Sequence, residues 1–118
     1  MPSSKPRQRF EDIVSNIDAI SRYSAGLDEA AFAANPMVID AVERCLSRIS
    51  EAAVKLGDNA VQLAPDQPWH NIRGLGNRLR HEYDLVSPRD IWAIVTGRLP
   101  ALRAACEQAI AALAEPST

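Results

Sequence analysis

Three observations predict an all-α protein, an antiparallel up-and-down four-helix bundle. Apolar residues recur at spacings of three and four along most of the 118 residues, which is the period of an amphipathic helix, and nowhere do they alternate as a half-buried strand would. The breaks between these runs carry helix start and stop residues, Gly26, Asn35-Pro36, Gly57 and Ser87-Pro88, and so divide the chain into four long segments. A chain of this length also buries a core without staples. Residues 1–118 therefore read as one domain, with residues 1–6 expected to be disordered.

The first helix is predicted from Arg7, with Phe10, Ile13, Ile17 and Ile20 on its inner face and Ser24 or Leu27 next in register. It should end near Gly26, and Asp28 to Ala34 has the residues for a short helical turn. Asn35-Pro36 opens the second helix, because Asn caps and Pro fits a first turn that needs no donor. That helix runs to about Gly57 on a stripe of Val38, Val42, Cys45, Leu46, Ile49, Ala53 and Leu56. Gly57 to Gln67, with Asp58, Asn59, Pro65 and Asp66, reads as the longest loop. Pro68 opens the third helix. Ser87 then caps a fourth, with Asp90 three residues on, where an acid suits the positive helix start. The fourth carries Ile91, Trp92, Val95, Leu99, Leu102, Cys106, Ala109 and Leu113, and a kink is expected near Pro100, which removes a donor and crowds the preceding turn.

Composition removes several function classes. The apolar runs are too short to span a bilayer. Cys45 and Cys106 stand far apart in helical patterns with no CxxC or neighbouring histidine, so they read as reduced, buried thiols rather than a zinc site or a nucleophile. Nothing resembles a secretory signal, and a cytoplasmic location is expected. A net charge of −2 argues against a general nucleic-acid binder. Any contact with RNA must then be local, and three of the 13 basic residues fall between Arg73 and Arg80.

That stretch is the most informative of the chain. Placed on a helical wheel, Ile72, Leu75, Leu79 and Val86 share one arc, while His70, Arg73, Asn77, His81 and Asp84 share the opposite one with Arg80 beside them. His81 is therefore not a core histidine. Arginine matches phosphate oxygens with a planar, permanently charged fork, and histidine gives or takes protons near neutrality. The plain alternative is a solvated face on which the arginines pair with Glu82 and Asp84, worth about 0–1 kcal/mol a pair. Gly74 and Gly76 weigh against it. Each costs about 1 kcal/mol in a helix interior relative to alanine, so close approach of another helix or of a ligand must make the missing side chain useful. His70 reads as a surface or capping histidine, and Trp69 and Trp92 as packing residues rather than a base-stacking platform.

The chain resembles the HepT family, toxin halves of bacterial toxin–antitoxin pairs within the HEPN group of helical ribonuclease domains. Arg9 to Ile13, Pro68-Trp69, Ile72-Arg73-Gly74-Leu75, Asn77 through Asp84, Ile91-Trp92 and Leu99 to Leu102 carry the resemblance in order and spacing. The family motif is an arginine, four residues, a histidine, one residue and a tyrosine. His81 and Tyr83 match it, and Gly76 stands where the arginine would be.

The resemblance implies a type VII toxin that cleaves RNA without metal by 2′-hydroxyl attack, with histidine moving a proton and arginine steadying the phosphate. With Gly76 in place of the motif arginine, Arg80, one turn on, is the expected substitute. Arg73 and Arg78 are further phosphate contacts, and Asn77 orients His81. The resemblance also implies a homodimer and a minimal nucleotidyltransferase antitoxin of the MntA type, which attaches AMP to the motif tyrosine, here Tyr83. RNA, with tRNA as a candidate, is the expected substrate, and neither DNA, a membrane nor a cofactor is expected. The competing expectation is a catalytically silent helical partner that binds the nucleotidyltransferase or a nucleotide.

Overall fold

The computed structural model describes residues 5–82, 84 and 86–114, and among these the ordered elements are all helical. They are α1 (Pro6–Tyr23), α2 (Glu29–Ala33), α3 (Pro36–Leu56), α4 (Asp58–Leu63), α5 (Trp69–His81), α6 (Pro88–Gly97) and α7 (Leu99–Ala114). α3 packs against both α1 and α5, α7 packs on α1, and α6 touches both α7 and α2. The buried centre is Phe10, Ile13 and Ile20 of α1, Val42, Leu46, Ile49 and Leu56 of α3, Phe32, Ile91 and Cys106.

Side-chain capping explains the starts of α2, α3 and α6. The Asp28 carboxylate accepts a hydrogen bond from the Ala31 N–H at 2.8 Å and opens α2. The Asn35 Oδ1 accepts from the Val38 N–H at 3.2 Å and opens α3. Ser87 and Asp90 form a reciprocal capping box at the start of α6, each side chain accepting from the other's backbone N–H at 3.2 Å. These side chains satisfy donors that the first turn of a helix leaves without partners.

Three expectations change. The segment expected as one loop from Gly57 to Gln67 contains α4. Gly57, at a φ of 55°, separates α3 from α4, Asp58 then sits in the first helical turn, and Ala60 is buried. The third helix stops at His81, where the Glu82 N–H donates to the Arg78 carbonyl at 2.7 Å, and the next helix begins at Pro88. In place of one kinked fourth helix there are two that meet at Arg98. The Arg98 N–H still bonds the Ile94 carbonyl of α6, while its own carbonyl accepts from Leu102 of α7. Pro100 thus occupies the first turn of a new helix, where no donor is required.

Between α5 and the α6–α7 pair the packing opens into a groove with a volume of about 550 Å³. Ile72, Leu75, Ile94 and Leu102 form part of its floor, and Arg78 and Arg98 are among its polar residues. No helix among the described residues is long and apolar enough to cross a membrane.

Candidate functional site

The site residues sit on α5, and the first turns of this helix are fixed by polar bonds. Trp69 is buried, donates its indole N–H to the Ala64 carbonyl at 2.7 Å and meets Phe10 edge-on at 6.4 Å. It is a packing residue, as its place at the helix start suggested. One turn on, half-buried Arg73 donates its Nε to the Ala53 carbonyl at 3.3 Å and its Nη2 to the Gly57 carbonyl at 2.7 Å. Ala53 lies in the last turn of α3, whose carbonyls lack donors further along the helix, and Gly57 is the residue that ends it, its carbonyl also accepting from the Ala60 N–H at 3.2 Å. Arg73, expected among the phosphate contacts, is placed in the α3–α5 seam as a cap on α3, and two of its donors are engaged there.

The seam closes at Ser50, a buried polar residue of the core. Its hydroxyl donates to the Arg73 carbonyl at 2.8 Å and accepts from the Gly76 N–H at 3.0 Å. α3 can come this close because position 76 has no side chain. A methyl group placed there would lie 2.6 Å from the Ser50 Oγ and 2.9 Å from its Cβ. A glycine in a helix interior was expected to mark a close approach, and at Gly76 the approaching element is α3. Nothing lies within 4 Å of the same position on Gly74, and the structure offers no steric reason for that glycine.

Beyond Gly76 the helix changes character. Asn77, Arg78, Arg80 and His81 are all exposed. Among the described residues neither Arg78, Arg80 nor His81 forms an ion pair with Glu82 or Asp84, the pairing that an ordinary charged face would have shown. Arg78, Arg80 and His81 lie in the last turn of α5, where the positive charge of the arginines complements the negative end of the helix dipole. Arg80 folds back along the helix, and its Nη1 is 3.3 Å from where a Cβ on Gly76 would be. The space left by the missing side chain is therefore bounded by Ser50 on one side and by the Arg80 guanidinium on another. Arg78 points elsewhere and lines the groove toward α6 and α7.

The other candidates separate from this end of the helix. His70 is exposed near the start of α5, eleven residues and thus roughly 16 Å of helix rise from His81. Asp84 is exposed beyond the helix end. Tyr83 lies outside the described residues. The cysteines are free and buried. Burial, with a smaller contribution from Glu107, pushes the Cys106 thiol up to about 12, and burial also raises Cys45. Both are neutral thiols at physiological pH and poor nucleophiles. Sequence reasoning missed Ser50. The signal for it was its register with Leu46 and Ala53 in the buried stripe of α3, together with an unexplained glycine on the facing helix.

The fold and this helix end define an all-helical protein that presents a histidine and arginines together at one exposed turn. A family model described as "Ribonuclease HepT-like" matches residues 13–109, so the chain belongs to the HepT-like ribonuclease family. It is 28% identical over 115 residues to a Methanocaldococcus jannaschii protein named "Putative RNase", an alignment that covers 98% of this chain and 99% of that one. It is 29% identical over 97 residues to a Caldanaerobacter subterraneus protein with the same designation, with 82% and 87% of the two chains covered. A Thermococcus cleftensis protein named "Probable ribonuclease HepT" is 28% identical over 99 residues, with 84% and 90% covered. No solved structure matches the chain.

Proposed function

We propose that this protein is an endoribonuclease of the HepT type, the toxin half of a type VII toxin–antitoxin pair, and that it cuts RNA without a metal ion. The observation that carries this reading is the Arg80 guanidinium folded back over Gly76 beside an exposed His81 on the same helical turn. In the reaction the RNA 2′ oxygen attacks phosphorus and the bond to the 5′ oxygen breaks. The products are a 2′,3′-cyclic phosphate and a 5′-hydroxyl. His81 is the general acid or base: it takes the 2′-hydroxyl proton or supplies one to the departing oxygen, and water exchanges the other. Arg80 neutralises the charge that builds on the phosphate, with Arg78 on the flanking backbone. Asn77, one turn before His81, orients the imidazole. On this reading the helices form the up-and-down four-helix bundle of the family and two copies assemble around a shared cleft.

The nucleotidyltransferase antitoxin fits the same reading. AMP attached to Tyr83, two residues after His81 in the sequence, would add negative charge and repel RNA. The second reading, a silent binding partner, is favoured by the Ser50–Gly76 contact, which leaves no room for an arginine at position 76. Cleavage of total RNA and tRNA in EDTA separates the two. The unmodified parent should cut, and His81→Ala and Arg80→Ala should not. A parent that leaves RNA intact supports the silent partner.

A further inference from the structure

We infer that Ser50, a residue of α3 outside the exposed cluster, positions the phosphate-binding arginine. The inference rests on the ribonuclease reading above, because it names what holds Arg80 in place for that reaction. The Ser50 hydroxyl is bonded on both sides to the α5 backbone, donating to the Arg73 carbonyl at 2.8 Å and accepting from the Gly76 N–H at 3.0 Å. These two bonds fix the distance and rotation of α5 against α3 one turn before Arg80. The resulting approach is so close that only a hydrogen fits on Gly76, and Arg80 Nη1 rests against that bare backbone, 3.3 Å from a methyl placed there. Arginine carries several freely rotating bonds, and an exposed one samples many orientations unless something restricts it. A flat patch of backbone, held by Ser50 and left uncovered by glycine, restricts it on one side.

Ser50 and Gly76 act on Arg80 from opposite directions, and this gives the proposal its consequences. A methyl at position 76 pushes against the guanidinium directly. Removal of the hydroxyl at position 50 releases the seam that sets the patch, while leaving the patch itself bare. Both changes therefore act through Arg80, and neither should matter once Arg80 is gone. Ser50 touches no substrate on this assignment. It is a positioning residue, and a loss of kcat at constant KM is its expected mark, since guanidinium placement matters most where phosphate charge develops in the transition state.

The test is a double-mutant cycle with RNA cleavage as one readout and 15N relaxation of the Arg80 side-chain Nε as the other. Ser50→Ala and Gly76→Ala should each lower kcat by about tenfold with KM within a factor of two, and in an Arg80→Ala background neither should lower it further. Arg80 Nε should be ordered in the parent and mobile in both variants. Gly76→Ala also presses on α3 through Ser50; the Ser50→Gly/Gly76→Ala protein removes that overlap together with the seam hydroxyl, and it should show the same mobile Arg80 with no added pressure on α3. Losses that add fully to that of Arg80→Ala, or an Arg80 Nε equally mobile in parent and variants, overturn the positioning role. If Arg80 is released in the variants while Arg80→Ala cleaves like the parent, the ribonuclease role of Arg80 fails and Ser50 has no reaction to serve.

Discussion

The first turns of α5 and its last turn carry similar side chains and use them in opposite ways. Arg73 directs its guanidinium inward onto the Ala53 and Gly57 carbonyls, Ser50 closes the seam at Gly76, and Trp69 anchors the start. From Asn77 to the end of α5 the polar side chains are exposed, and among the described residues Arg78, Arg80 and His81 form no ion pair. One helix is thus both a fastening and a platform. The teaching is that an arginine in a basic cluster is assigned by what its donors meet. Arg73 and Arg80 are indistinguishable by type and face of the wheel, yet Arg73 is half-buried with two donors on backbone carbonyls while Arg80 is exposed.

The sharpest way to break this contrast is to exchange the two arginines' fates. Arg80→Ala and His81→Ala should each reduce RNA cleavage by about 10²–10³-fold, in line with the loss of a transition-state donor, and should leave the thermal midpoint within error of the parent because both are exposed. Arg73→Ala should do the reverse. Loss of charge-assisted hydrogen bonds to carbonyls at the end of α3 should lower stability by about 2–3 kcal/mol in urea unfolding. An Arg73→Ala protein as stable as the parent but inactive would return Arg73 to the phosphate site.

A smaller loss is expected at the helix start. Trp69→Phe keeps an aromatic ring against Phe10 but leaves the Ala64 carbonyl without its indole donor, which should lower stability by about 1–2 kcal/mol.

The smallest effect tests an arginine that is neither fastened in a seam nor presented to a ligand. Arg103 forms a bidentate pair with Asp18 between α7 and α1, at 2.8 and 3.2 Å, with both side chains about two-fifths exposed. The Arg103 hydrogen bonds, and after them its charge and that of Arg22, hold the Asp18 carboxyl below its ordinary 3.8 against a partial opposing effect of burial. A depressed folded pKa gives stability that is present above the unfolded value and lost as pH falls through the folded one. Thermal melts of Asp18→Asn against parent should therefore differ slightly at pH 7 and converge below pH 3.8. High salt should shrink the difference at neutral pH, as expected of an exposed pair.

Legibility in the sequence followed the range of the forces involved. Caps act within three residues, so Asn35, Ser87 and Asp90 could be read directly. The apolar period gave the inner faces of α1 and α3 almost residue by residue, because burial of a helix stripe repeats with the backbone. α4 escaped because six residues are too few to display a period and its Gly, Asp and Asn also suit a loop. The end of α5 escaped because a wheel extends as far as it is drawn, and the stop at His81 is set by local backbone bonds without a glycine or proline to mark it.

The sequence by itself determined an all-helical chain, the approximate course of its long helices, the exposure of His81 and the demand that a glycine at position 76 meet something close. The tertiary structure decided what that something is. Hydrogen bonds between α3 and α5 join residues 16 to 26 positions apart in the chain, and no periodicity along one helix reports which neighbour its polar groups will meet. For that reason the division of labour between Arg73, turned inward as a cap, and Arg80, laid over bare backbone beside His81, became visible only once the two helices were brought together.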